Sequence, residues 1–194
     1  MNILIIKYNA GNIQSVLFAL ERIGITATVT DDPELIRSSD KVIFPGVGEA
    51  STAMQYLKER NLDKLIVSLK QPVLGICLGM QLLCDYSEEN DTHCLGIFKT
   101  HVKKFIGGLK VPQIGWNNIT INSSTPLLKE IPANPYCYFV HSYYADLCDN
   151  TIAETEYGIP FSSALAKGNF YGVQFHPEKS AANGEQILKN FLSL

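Results

Sequence analysis

Gly75-Ile76-Cys77-Leu78-Gly79 sets a cysteine between glycines where the apolar run Pro72-Val73-Leu74 gives way to a helix-like pattern. A small-x-nucleophile-x-small turn from strand to helix is the elbow that exposes a nucleophile at the top of a sheet. The glycines leave room for so tight a turn, and the nucleophile itself bears the backbone strain. Cys77 is therefore the candidate attacker, with the thiolate as the attacking form. A free thiol with a pKa of about 8.5 is mostly protonated at neutral pH, whereas a helix N-terminus and a nearby imidazolium both favour the thiolate. An imidazole is offered at His176-Pro177-Glu178. Alternate side chains of an extended segment share a face, so His176 and Glu178 are expected to project together, with Pro177 ending the strand's hydrogen-bond ladder. Nucleophile, base and orienting carboxylate then make a Cys-His-Glu triad suited to acyl transfer. Such chemistry needs donors for an oxyanion. The N–H of Leu78, directly after the nucleophile, is one candidate. Val47, in the turn Pro45-Gly46-Val47-Gly48, is another, because flanking glycines let an N–H turn inward. His101 and His141 stand open as bases beside His176, whereas His93 lies in a polar loop of surface character. A lone cysteine in a buried turn reads as a packing residue; the conjunction of these features, in this order, points to an enzyme.

The elements that must position these groups alternate as an α/β fold demands. Residues 3–6 form a continuous apolar run, as expected of a strand covered on both faces. Ile13, Val16, Leu17, Leu20 and Ile23 then make a helical stripe, with Asn12 as a candidate N-cap and Gly24 at its end. Strands are expected at 25–30, 41–45 and 73–76, the last delivering Cys77. One long helix over 50–70 would present Met54, Leu57, Leu62, Leu65 and Leu69 inward. This is β-α-β-α-β with right-handed crossovers. Beyond residue 97 the texture changes to strand-like stretches at 102–106, 119–121, 136–140, 152–155 and 170–175, separated by prolines and glycines, and a closing helix over 183–192. The expected fold is α/β, with a mostly parallel central sheet flanked by helices and an additional antiparallel strand region. With no repeat and no separating linker, residues 1–194 read as a single domain.

Composition agrees. A length of 194 residues with 46% hydrophobic content supports one sizeable core. A net charge of −3 without a dense basic run argues against nucleic acid or a membrane surface as partner. The five cysteines are odd in number, irregularly spaced and free of any C-x-x-C pair, which fits a reducing, cytoplasmic setting rather than a disulfide framework, a zinc ribbon or a thioredoxin motif. No metal or cofactor is expected. The N-terminal run is too short for a signal peptide, and no apolar stretch reaches the roughly 18 residues that a membrane helix needs.

Taken together, the motifs resemble those of class I glutamine amidotransferases from end to end. They are Tyr8-Asn9-Ala10-Gly11-Asn12 with Ser15, Pro45-Gly46-Val47-Gly48, Gly75-Ile76-Cys77-Leu78-Gly79-Met80-Gln81, Pro112-Gln113-Ile114-Gly115-Trp116-Asn117, Phe139-Val140-His141-Ser142-Tyr143, and Gly172-Val173-Gln174-Phe175-His176-Pro177-Glu178-Lys179-Ser180. The elbow and His-Pro-Glu are shared by the whole class, whose sheet is flavodoxin-like. The loop at 8–12 and the stretch Gln113-Ile114-Gly115-Trp116-Asn117 are similar to those of the glutaminase subunits of histidine biosynthesis. The resemblance implies that Cys77 attacks the side-chain amide of glutamine, releasing ammonia and leaving a glutamyl thioester for water to cleave. His176 would pass the protons, oriented by Glu178, and Gly48, Gln81, Ser142 and Tyr143 would hold glutamine. It further implies a heterodimer with a (β/α)8-barrel cyclase, where the ammonia helps to make imidazole glycerol phosphate and an aminoimidazole carboxamide ribotide. Asn9, Asn12, Gln113, Trp116, Asn117 and Lys179 would face that partner. Trp116, the only tryptophan, suits an interface anchor, or by residue type alone a core position. The strand at 45–48 would hold its oxyanion donor turned away until the partner's substrate binds. A paralogous subunit serving another acceptor, such as a surface-polysaccharide sugar, and a free-standing Cys hydrolase of the same fold remain alternatives. A non-catalytic binding module would not need the three triad residues together.

Overall fold

Burial on both faces shapes the first strand. In β1 (Ile3–Ile6), Ile3 and Ile5 enter one hydrophobic core while Leu4 and Ile6 enter another, as alternate side chains must. The computed structural model describes residues 1–9 and 11–194; Ala10, within the motif at 8–12, lies outside the described residues. The chain continues through α1 (Ile13–Arg22), β2 (Ala27–Thr30), α2 (Pro33–Ser38), β3 (Lys41–Gly46), α3 (Ala50–Glu59), α4 (Leu62–Ser68), β4 (Val73–Cys77) and α5 (Leu78–Leu83). β1 pairs in parallel with β2 and β3, and β3 in parallel with β4. Side chains of α2 to α5 pack into the core on one face of the sheet, and those of α1 into the core on the other.

Two local departures from the sequence expectation have plain causes. The expected helix over 50–70 is broken, because Asn61 adopts the left-handed conformation at φ +55, which asparagine tolerates better than most residues. Leu62, Leu65 and Ile66 still reach the core from the second segment. The short helix α2 was not expected, although its start carries a legible signal. Asp32 accepts the N–H groups of Glu34 and Leu35 at 2.8 and 3.1 Å, and Pro33 occupies the first turn.

The second half comprises β5 (Cys84–Ser87), β6 (Thr92–His93), β7 (Phe98–Lys104), β8 (Gln113–Asn118), β9 (Thr120–Ile121), β10 (Tyr136–His141), β11 (Tyr143–Ala145), β12 (Thr151–Glu156), β13 (Pro160–Lys167), β14 (Phe170–Val173) and α6 (Ala181–Leu192). The main sheet runs β2-β1-β3-β4-β14-β13-β11-β7-β5-β6, and β8 and β10 form a separate antiparallel pair. β14 is the seam. It pairs in parallel with β4 and antiparallel with β13, joining the parallel sheet to its mostly antiparallel extension. The strand expected at 102–106 begins earlier and stops at Lys104, and the one expected to reach 175 stops at Val173. β13 escaped notice because Ser162 and Ser163 interrupt its apolar pattern, yet both are buried. α6 packs beside α1 through Ile187, Leu188 and Phe191. Since β1, β3, β4 and β14 run in parallel, the segments leaving their carboxyl ends gather on one rim, where open α/β sheets form their sites.

Candidate active site

β4 passes into α5 with no connecting loop, and Cys77 is the junction at φ +53 and ψ −109. L-residues seldom occupy that region, at a cost of about 1–3 kcal/mol that the surroundings must hold in place. The flanking glycines make the fit possible. A Cβ on Gly75 would come within 2.8 Å of the Met80 backbone nitrogen, and one on Gly79 would run into the Phe44 carbonyl.

His176 reaches the cysteine from the segment after β14. Its geometry differs from the extended pair expected from the sequence. Pro177, Glu178 and Lys179 form a 3-10 turn, with proline in the first turn where its fixed φ suits a helix start. The turn curls Glu178 back so that His176 Nδ1 lies 2.7 Å from its Oε1. Both side chains are fully buried. The backbone is braced as well: His176 N–H donates to the Tyr138 carbonyl at 2.8 Å, and the Ser180 hydroxyl donates to the His176 carbonyl at 2.6 Å. His176 Nε2 has no hydrogen-bond partner among the described residues, while the Cys77 sulfur lies near enough for its charge to act on the imidazole. Burial works against the imidazolium; the nearby Cys77 sulfur and the hydrogen-bonded Glu178 carboxylate favour it, outweigh burial and raise the pKa to about 10.

The other histidines separate on environment. Burial, reinforced by the charge of His176, lowers His141 to about 4 despite its bond to the Tyr143 carbonyl, so it stays neutral at physiological pH. Its Nδ1 lies 2.6 Å from that carbonyl and its Nε2 3.0 Å from the Gln113 amide, which makes it a fixed piece of wall. His93 and His101 pack against the Tyr86 ring, on β5 and away from the rim.

Beside the elbow lies a cavity of about 310 Å³ lined by Val47, Gly48, Cys77, Leu78, Gln81, Glu89, Pro112, Val140, His141, Ser142 and Tyr143. That volume is at the small end of the about 300–1,000 Å³ usual for small-molecule sites. Both segments expected to supply oxyanion donors line it, as do Gly48, Gln81, Ser142 and Tyr143. Gly48 has φ +130, and the Val47 carbonyl is held by the Gly11 N–H at 3.3 Å, which ties this turn to the loop after β1. Glu89 was not singled out from the sequence, where a glutamate in a polar stretch looks like surface. The hairpin of β5 and β6 brings it over the start of α3, where its Oε2 accepts the Ala50 N–H at 2.7 Å. Burial and the charge of Glu49 raise its pKa, opposed by the Ala50 hydrogen bond.

Of the residues expected to face a partner, Asn9, Trp116 and Lys179 are exposed and Asn117 is half-buried, its amide donating to the Glu156 carbonyl at 3.0 Å. Gln113 is buried, because β8 turns it inward toward His141 while Ile114 and Trp116 point outward. Asn12 stands at the N-cap position of α1, where its carbonyl accepts the Val16 N–H at 3.4 Å, but its side chain makes no cap bond; it is half-buried and turns toward the triad. Held at φ +74, it donates its amide to Glu178 Oε1 at 2.5 Å and lies 3.3 Å from His176 Nδ1.

The family model for glutamine amidotransferase class-I matches residues 4–194. Imidazole glycerol phosphate synthase subunit HisH of Bacteroides fragilis (strain YCH46) is 55% identical over 197 residues, covering 100% of both chains. The protein of that name from Bacteroides thetaiotaomicron is 53% identical over the same extent. A solved glutamine amidotransferase superposes with a TM-score of 0.76 at 18% identity, covering 98% of this chain and 97% of its own, which bears on fold alone.

Proposed function

Because this chain belongs to the class-I glutamine amidotransferases, we propose that it is the glutaminase subunit of an imidazole glycerol phosphate synthase, releasing ammonia from glutamine for a (β/α)8-barrel cyclase in histidine biosynthesis. The observation that carries this reading is the convergence, beside an open cavity, of a strained cysteine elbow with a buried imidazole that a carboxylate orients. The relatives that share about half their residues with this chain over its whole length bear that name, which supports this acceptor over a paralogous one.

The Cys77 sulfur attacks the side-chain carbonyl carbon of glutamine, and the N–H groups of Leu78 and of the Val47 turn receive the developing oxyanion. His176, charged and held by Glu178, hands its proton to the departing nitrogen, so that ammonia leaves and a thioester remains. The neutral imidazole then takes a proton from water as it attacks, and glutamate departs with the sulfur restored. Gly48, Gln81, Ser142 and Tyr143 hold the substrate, and the Glu89 carboxylate faces its ammonium group. The product must stay unprotonated to act as a nucleophile, so the reaction calls for a sealed passage to the partner. Exposed Asn9, Trp116 and Lys179, with Ile114 and Tyr136 beside them, form the docking face. Residues 1–194 act as one amidotransferase domain, and the unpaired cysteines suit the cytoplasm.

Glutamate release measured with and without a barrel cyclase tests the reading. Turnover should rise when the cyclase carries its ligand, and Cys77→Ala should lose several orders of magnitude, as for other triad nucleophiles. Equal turnover in Cys77→Ala would end the proposal.

A further inference from the structure

Gln174 is fully buried in the step after β14, flanked by Val173 and Phe175. A buried amide must find partners for both ends, and here they are Gln81 and the nucleophile. Gln174 Oε1 lies 2.9 Å from Gln81 Nε2, which also donates to the Tyr143 carbonyl at 2.9 Å. Gln174 Nε2 lies 3.6 Å from Cys77 Sγ. The direction of this chain is fixed at its outer end. A backbone carbonyl can only accept, so Gln81 must present its N–H groups there. The oxygen of Gln174 must then face Gln81, and its own N–H must face the sulfur.

We propose that Gln174 is a positioning residue for the cysteine: its buried amide donates to the Cys77 sulfur, favours the thiolate over the thiol, and ties the nucleophile through Gln81 to the wall of the glutamine cavity. A hydrogen bond to an anionic acceptor is stronger than one to its neutral form, so the donor discriminates between the two states of the sulfur. The other hydrogen-bond neighbour of Sγ, the Val140 carbonyl at 3.8 Å, can only accept from the thiol, so Gln174 is the donor of the two that favours the anion. Its part in glutamine hydrolysis rests on the function proposed above, whereas its effect on the sulfur does not.

The test is therefore made on the sulfur, in the full-length chain. Alkylation of Cys77 by iodoacetamide is followed against pH by mass spectrometry of its peptide, so that the other cysteines do not interfere. The titratable groups around the sulfur are His176 with Glu178 behind it, Tyr8 just beyond β1, and Glu89 and His141 across the cavity; all are retained. Gln174→Met keeps the length and loses the donor, and its alkylation midpoint should rise by about one pH unit. Gln174→Glu keeps the oxygen that faces Gln81 and adds a like charge, and should raise the midpoint further. Midpoints unchanged in folded variants would overturn the proposal. If neither variant folds, the side-chain amide resonances of Gln174 in the wild-type chain decide it. A shift that follows the Cys77 alkylation midpoint supports the bond, and amide signals indifferent to it refute it. Glutamate release by the same variants is a separate readout, so failure of the glutaminase reading would leave this result standing.

Discussion

His176 and His141 start from the same ordinary imidazole value near 6.5 and are driven apart by what surrounds them. The folded chain holds the proton of His176 up to about pH 10, so its contribution to stability is complete below 6.5 and is lost as pH rises through that window. His141 is the reverse case. Below 6.5 the unfolded chain takes up a proton that the folded chain refuses until about pH 4, and stability falls on acidification. Thermal midpoints measured from pH 4 to pH 10 should therefore decline on both sides of 6.5. His141→Gln should flatten the acid side and Glu178→Gln the alkaline side; limbs of unchanged slope would count against these assignments. Glu178→Gln should also cut glutamate release by at least about a hundredfold, as loss of an orienting carboxylate does in other triads. At this scale Cys77 and His176-Pro177-Glu178 could be singled out from residue type and order. Which histidine holds a proton could not, because protonation depends on neighbours that only folding supplies.

At the scale of elements, the catalytic turn is held from behind by α6. Gly184 lets the helix approach so closely that a Cβ there would overlap the Pro177 carbonyl. Gly184→Ala should cost about 1–3 kcal/mol in urea unfolding, and by displacing the turn it should lower kcat for glutamine hydrolysis beyond what the loss of folded protein explains. Activity per folded molecule equal to wild type would contradict this. The elbow glycines announce themselves by flanking a nucleophile, whereas Gly184 sits in an ordinary helical pattern with nothing to mark it. The parallel half of the fold was legible for a similar reason: its strands are short apolar runs and its helices carry clear stripes. The antiparallel half was less so, because β11 is short and β13 buries Ser162, whose partners Thr151 and Asp146 lie elsewhere in the chain.

Over the whole molecule, the proposed docking face and the His176-Pro177-Glu178 turn are neighbours. Trp116 meets Tyr138 edge-on at 6.0 Å, Lys179 Nζ lies 6.0 Å from the centre of the same tyrosine ring, and the Tyr138 carbonyl receives the His176 N–H. A partner docked on Trp116, as proposed, would press on the strand that braces His176. Trp116 is 52% exposed, with Ile114 and Tyr136 at 60% and 59%, an apolar cluster of the kind that anchors interfaces. If the proposed docking face is right, Trp116→Ala should weaken binding to a barrel cyclase by about thirtyfold or more in a calorimetric titration; unchanged affinity would count against that face.

Residue order alone was enough to locate the candidate nucleophile, its elbow, the His-Pro-Glu segment and the alternation of strand and helix, because each is written in contiguous residues whose local sterics dictate the outcome. The placing of Asn12 on Glu178, Glu89 in the cavity, Gln174 on the sulfur and Gln113 beneath His141 was decided only by tertiary structure. Each of these contacts joins segments far apart in the chain, and a polar side chain takes its role from whatever hydrogen-bond partners the fold delivers to it.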